Sequence, residues 1–329
     1  MSDNLQLDTQ AKLSGDFTVN RFPRYVVFGE ALTDMLRQED DRWLAVPGGA
    51  CWNVARVGAR LGVSTAFAGA VSNDLFGDRL ETAGNAAGLD RRFLQRVDAA
   101  PLLAMVVSQH PPEYYFIGAD SADLHFDPAQ LPVGWRIAAE IVHFGGISLM
   151  RKPLATKLLA EANAAKVAGK RIAFDPNFRS KANTPDYADT FRAIASMSTY
   201  IKVSDDDLLG LFPGLDPENG LIALRALAPS AQILLTRGAE GMTLFTSDKV
   251  FEQSAFTVQV VDTVGCGDAS MAGWMSSILL RPTADFSAHL QISAAAAALA
   301  ATHAGPYPPS ASEVDGLLIE QGYASWLAH

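Results

Sequence analysis

The chain reads as an α/β protein built on a mostly parallel sheet. Three observations predict it: short β-rich runs alternate with helical stretches from Arg24 onward, the first helical stretches stop at glycines, and several strands end in polar residues. YVVFGEALTDM, from Tyr25, begins as a buried strand, and NVARVGARLG follows as a helix closed by Gly62. STAFAGAV is the next strand, and DLFGDRLETAGNAAG a helix that stops at Gly88. IVHFGGISL at 141–149 reads as a buried strand, PLATKLLAEANAAKVAGK as a helix, and RIAFDPNFR as a strand with a polar C-terminal end. TYIKVSDDDLLGLF and AQILLTRGAEGMTLF repeat the order. Two segments break it. RQEDDRWLAV at 37–46 and APLLAMVVSQHPPEYYFIGAD at 100–120 read as hairpin material, the second turning at His110-Pro111-Pro112, and predict a small β appendage on a single core.

Composition narrows the function classes. With 329 residues, 49% of them hydrophobic, the chain can bury a substantial core. A formal charge of −10 and a pI near 5.0 argue against coating nucleic acid or an anionic membrane, so any polyanion site must be local. Cys51 and Cys266 lie far apart with no Cys or His at ligand spacing, which suggests neither a zinc cluster nor a disulfide framework and fits a reducing cytoplasm. Residues 1–23 read as a polar tail without a secretory h-region. SAAAAALAA at 293–301 is far short of the roughly 20 residues that span a bilayer and predicts a close-packed internal helix.

Ligand crevices in open parallel sheets lie outside the carboxyl ends of the strands. Gly29, Glu30 and Asp34 follow the first strand; Gly48, Gly49 and Asn53 open the first helix; Asp175, Asn177 and Arg179 follow another strand, and Thr236-Arg237-Gly238 another. Each alone could be a turn or a cap, but their shared position at strand ends points to a site. In DTVGCGDASMAGWMSSIL, residues 262–279, a turn of Gly265-Cys266-Gly267 before a helix starting near Asp268 makes an anion cradle of free backbone N–H groups. Asp268 beside an anion is either an N-cap or a base that handles a proton.

DTVGCGDASMAG resembles the C-terminal signature of the PfkB or ribokinase-like carbohydrate kinases, and PGGACWNVARVGARLG at 47–62 resembles their N-terminal Gly-Gly signature. FGEALTDM, AGAVSNDLFGDRL, FDPNFR and HFGGISL are similar to the fructokinase branch. The resemblance spans the chain from about Arg24. It implies a ribokinase-like three-layer sandwich over 24–329 with a β lid near 35–47 and 100–121. It further implies an ATP-dependent sugar kinase acting on a primary hydroxyl, with fructose as the expected acceptor. Asp268 would be the base, and the amides of Gly265, Cys266 and Gly267 would stabilise the transferring phosphoryl group. Asp34, Gly48, Gly49 and Asn53 match sugar-binding positions, Arg179 joins them, and Thr236, Gly238 and Gly241 match the nucleotide side.

Ser204 and Asp207 stand where the family often has Asn and Glu near the phosphates, so Mg²⁺ would be held by a shorter carboxylate acting through water. A K⁺-like ion is implied beside the anion hole, with Asp262, Val264, Ala300, His303 and Gly305 matching, although Asp262 could equally brace the turn. Small-molecule sugar and ATP are the expected partners, with a homodimer through the lid. His143 and Trp52 read as packing residues, and Cys266 as filler whose helix N-terminus would lower its pKa. A sugar-acid kinase using Arg179, such as one for 2-keto-3-deoxygluconate, and a non-catalytic sugar or nucleotide sensor are the alternatives.

Overall fold

A computed structural model describes residues 22–38, 42–109, 112–178 and 186–327. The chain enters through β1 (Tyr25–Phe28), buried at all four positions, and passes directly into β2 (Leu32–Arg37) and β3 (Trp43–Gly48). It returns through α1 (Ala50–Arg60), β4 (Thr65–Ser72), α2 (Leu75–Ala87) and β5 (Leu94–Val97), then leaves again as β6 (Leu103–Gln109) and β7 (Pro112–Ile117). Next come α3 (Trp135–Ala138), β8 (Ile141–Gly145), α4 (Leu154–Val167), β9 (Arg171–Asp175), α5 (Tyr187–Met197) and β10 (Tyr200–Ser204). The rest is α6 (Asp205–Leu211), α7 (Pro217–Leu227), β11 (Gln232–Thr236), β12 (Met242–Phe245), β13 (Val250–Gln253), α8 (Cys266–Leu280), α9 (Phe286–Ala301) and α10 (Ala311–Glu320).

Among the described residues, nine strands form the main sheet in the order β13-β12-β11-β10-β9-β8-β1-β4-β5. All neighbours are parallel except β11–β12 and β12–β13. The apolar runs that looked continuous in sequence are buried on both faces, as parallel strands between helices must be. One core layer packs α1, α8, α9 and α10 on the sheet, and the other packs α4, α5 and α7. The alanine-rich α9 serves close approach: a Cβ on Gly273 of α8 would stand 3.0 Å from Ala296 Cβ. No helix among the described residues is long and apolar enough to cross a membrane.

The appendage is a second sheet, β3-β2-β6-β7, in which two antiparallel hairpins join through the parallel pair β2–β6. β2 starts at Leu32, earlier than the boundary near 35 read from sequence, because buried Leu32 roots it against Leu102, Ala104 and Ile147. The hairpin turn at His110-Pro111 lies outside the described residues, and Pro112 already belongs to β7. β8 is also shorter than expected: it stops at Gly145, Gly146 takes φ +63°, and a 3-10 turn covers Ile147–Met150. α1 begins at Ala50 instead of Asn53, and α8 at Cys266 instead of near Asp268.

Candidate active site

β1 connects one way, to β4, and β8 the other way, to β9, so the strand order reverses between β1 and β8. Outside the carboxyl ends of such strands a crevice forms of necessity. Here it is a cavity of about 650 Å³, reached by Glu30, Gly146 and Asn177 just beyond β1, β8 and β9 and by Ser204 and Thr236, the last residues of β10 and β11. The second sheet contributes Leu36, Val46, Val106 and Phe116 to its walls. Its volume falls in the range of about 300–1,000 Å³ usual for small-molecule sites.

Asp268 and Asn53 meet at the floor. Asp268 occupies the third position of α8, buried at 7% exposure, and accepts a 2.9 Å hydrogen bond from Asn53 Nδ2 across from α1. The N-cap is Gly265, in the left-handed region at φ +82°, so Asp268 is not the cap. Its carboxylate lies on the cavity wall with Gly265 and Gly267. Asn53 Oδ1 is buried without a hydrogen-bond partner, an acceptor suited to a ligand hydroxyl.

The two glycines of the cradle serve different ends. Gly265 supplies a positive φ where Pro306 packs close. Gly267 has no such need; a Cβ there would stand 2.9 Å from Lys202 Nζ. Cys266 does not follow the sequence expectation. Burial, with Asp268 and Asp262 adding to it, pushes its thiol up to about 12, which outweighs the helix N-terminus.

The Gly-Gly signature is likewise explained by crowding. A Cβ on Gly48 would meet Asp34 Oδ2 at 2.1 Å, and Gly49, at φ +112°, would meet the Glu30 carbonyl at 2.7 Å. Asp34, Gly49 and Asn53 line the cavity, while Gly48 leaves room for Asp34. Arg179 lies outside the described residues.

Ser204 and Asp207 form a capping box on α6: Asp207 Oδ2 accepts from Ser204 N and Oγ, both at 2.9 Å, and the Asp207 amide donates to Ser204 Oγ. Asp207 Oδ1 accepts from Phe178 N at 2.7 Å. Both residues reach the cavity, and the unused lone pair on Oδ1 suits a water-mediated Mg²⁺ contact. Asp206, the middle member, is exposed at the rim. Thr236 lines the cavity, but Gly238 and Gly241 belong to the β11–β12 turn outside the lining; Gly241 is needed because a Cβ would stand 2.2 Å from the Gln253 carbonyl.

Asp262 braces two loops, accepting from Val264 N at 3.1 Å and Gly305 N at 2.9 Å. Ala300 is buried in the last turn of α9, and His303 stacks on Tyr307 at 3.6 Å between ring centroids. Asp262, Val264 and Gly305 line the cavity, whereas Ala300 and His303 do not. Trp52 is core, under Arg56 at 4.4 Å, and His143 is buried with Tyr25 OH at 3.3 Å from its Nδ1, its imidazole pushed down to about 3 by burial.

Two residues escaped the sequence reading. Glu30, noted only as a strand-end residue, takes backbone N–H groups from Ala50 at 3.1 Å and Ser148 at 3.2 Å, tying α1 to the segment after β8. Burial pushes its carboxyl up to about 7. Lys202 lies in β10, paired with Asp175 at 3.2 Å and 5% exposed at the side chain. Its signal was in plain view: a lysine inside the apolar strand YIKVS is costly unless paired.

The pfkB family carbohydrate kinase profile matches residues 23–313. A fructokinase of Klebsiella pneumoniae is 32% identical over 258 residues, covering 77% of this chain and 83% of that protein. A crystal structure of fructokinase with bound ATP from Xylella fastidiosa superposes with a TM-score of 0.83 at 29% identity, covering 91% and 99% of the two chains. Aminoimidazole riboside kinase from Salmonella enterica, complexed with aminoimidazole riboside and an ATP analogue, gives 0.80 at 27% identity over 89% and 99%. With its sheet, its glycine cradle and its buried aspartate accounted for, the chain belongs to the pfkB family of carbohydrate kinases.

Proposed function

We propose that this protein is an ATP-dependent sugar kinase that phosphorylates a primary hydroxyl of a free sugar, with fructose as acceptor. The observation that carries the reading is Asp268, buried at the mouth of the α8 cradle and oriented by Asn53. A sugar hydroxyl placed between Asp268 and the cradle gives its proton to the carboxylate as its oxygen attacks the γ-phosphorus. The bond from that phosphorus to the bridging oxygen breaks, and ADP leaves with the oxygen. Amides of the α8 first turn stabilise the phosphoryl oxygens, and their dipole adds to the effect. Asp34, Gly49 and Asn53 line the acceptor end, and Thr236 the nucleotide end.

Mg²⁺ bound with ATP would neutralise phosphate charge, held through water by Asp207 beside Ser204. The Asp262 loop, next to the cradle, is where K⁺ would act. The second sheet closes over the acceptor and excludes water, and its outer face, with Trp43, Tyr115 and Ile117 exposed, pairs two subunits. Free Cys51 and Cys266 and the need for ATP suit the cytoplasm. The similarity to a riboside kinase favours a riboside acceptor as the second reading.

ADP release is to be measured with fructose, glucose, ribose, 2-keto-3-deoxygluconate and aminoimidazole riboside, with and without K⁺. Fructose is expected to turn over fastest. Asp268→Asn should lower kcat at least about 100-fold while sugar binding persists. A folded Asp268→Asn protein with wild-type turnover would overturn the mechanism.

A further inference from the structure

Asn53 and Arg56 stand three residues apart on α1, so they share one face of the helix. Asn53 grips Asp268, the third residue of α8. Arg56 reaches the chain that lies against the start of α8: its Nη1 donates to the Pro306 carbonyl at 3.3 Å. Pro306 lines the cavity and packs on Gly265, the N-cap of α8, where a Cβ would stand 3.0 Å from it. Gly305, its neighbour, donates to Asp262 at 2.9 Å and faces the second sheet, a Cβ there standing 3.7 Å from Val46 Cγ1.

Arg56 is a costly means of holding one carbonyl. Its guanidinium is half-buried over the Trp52 ring, 4.4 Å from the centroid, with no carboxylate partner among the described residues. Its Nε is buried without a hydrogen-bond partner. Burial, and then Arg60 one turn on, pushes its pKa down to about 10, so the surroundings work against this charge. Arg60 has a carboxylate of its own, Glu313 at 3.7 Å, which Arg56 lacks. An apolar side chain on Trp52 would carry no desolvation cost, so stability does not account for the guanidinium. Its contribution is geometric. Stacking on Trp52 fixes the plane of a rigid fork, and one prong of that fork reaches Pro306.

Resting on the kinase reading above, we propose that Arg56 is a positioning residue for phosphoryl transfer: with Asn53 it makes α1 a two-point clamp on α8, Asn53 holding the base Asp268 and Arg56 holding the Gly265 turn through Pro306. The clamp fixes the separation between the carboxylate that takes the hydroxyl proton and the amides that receive the phosphoryl group. Both ends must be correct together in the transition state, where a displacement of about 1 Å can cost on the order of 100-fold in rate. Arg56 itself is not on the cavity wall, so its loss falls on kcat and not on substrate binding.

The test is chemical rescue in the full chain. Arg56→Ala opens a space over Trp52 that a small guanidinium ion can enter. ADP release, measured with Mg²⁺, ATP and the acceptor the wild type turns over fastest, is expected to show kcat about 10-fold lower and both KM values changed less than about threefold. Millimolar methylguanidinium should restore most of the lost kcat, whereas methylammonium at equal ionic strength should not, because a compact ammonium lacks the planar fork. Arg56→Met, which keeps an apolar stem on Trp52, should lose kcat equally without rescue, and it carries the test if the alanine protein fails to fold. Wild-type kcat in a folded variant, or a loss confined to KM, would overturn the proposal. A kcat loss in Arg56→Ala that methylguanidinium leaves unchanged would overturn it too and make Arg56 a packing residue. Those outcomes leave the kinase reading standing, while a wild-type protein that releases no ADP with any acceptor would overturn that reading and this proposal with it.

Discussion

Glu30 shows how much a single buried carboxyl can shape the site. It receives two backbone N–H groups from separate elements, yet burial is the larger influence and raises it from near 4.5 to about 7. A group whose folded pKa is raised contributes stability that is complete below its unfolded pKa and is lost as pH climbs through the folded one. Asp175, pushed up to about 7 by burial against the pull of Lys202, acts in the same window with the same sign. Thermal melts should therefore show wild-type stability falling between about pH 4 and pH 7. Glu30→Gln should flatten a part of that slope worth roughly 3 kcal/mol. An equal slope in both proteins would refute the assignment.

At the level of elements, the second sheet is tied to the body by Arg151, which follows the 3-10 turn after β8. It donates to Asp123 Oδ2 at 2.5 Å, to Ser121 Oγ at 3.0 Å and to the Gly118 carbonyl at the end of β7. Asp123 is buried, so the anchor does not compete with water, and its loss leaves a carboxylate uncompensated. Arg151→Met should raise the sugar KM several-fold and increase ATP hydrolysis without sugar, since a loosened cover admits water. Hydrogen exchange should quicken over 103–121. Unchanged exchange there would show that the anchor lies elsewhere.

Across the whole molecule, the sheet of β3, β2, β6 and β7 exposes apolar side chains that a water-facing surface does not need. On its outer face Trp43 of β3 is 37% exposed, and Tyr115 and Ile117 of β7 are each 48% exposed. Light scattering is expected to give a dimer for the wild type and a monomer for Tyr115→Glu, because a charge buried in an apolar contact must be desolvated. A wild-type monomer at micromolar concentration would dispose of the pairing. The acceptor site proposed beneath the same sheet should then show a weaker sugar KM in the Tyr115→Glu protein, whose substitution lies on the opposite face from the cavity.

The sequence by itself determined the layered fold and the glycine turn set directly ahead of the helix that carries Asp268, because each rests on local chemistry: alternating periodicity, helix stops, and glycines before a helix start. Tertiary structure decided what could not be local. Whether Asp268 capped its helix depended on where α8 begins, two residues earlier, and its partner Asn53 arrives from α1 across the cavity. Gly48 and Gly267 each leave room for a side chain distant in sequence, Asp34 and Lys202. Ser204 and Asp207 are consumed largely by one another, and desolvation of the half-buried Cys266, with Asp268 and Asp262 beside it, raises its thiol pKa against the helix dipole. Charge and close packing act through space, so residues remote in the chain set what each position can do.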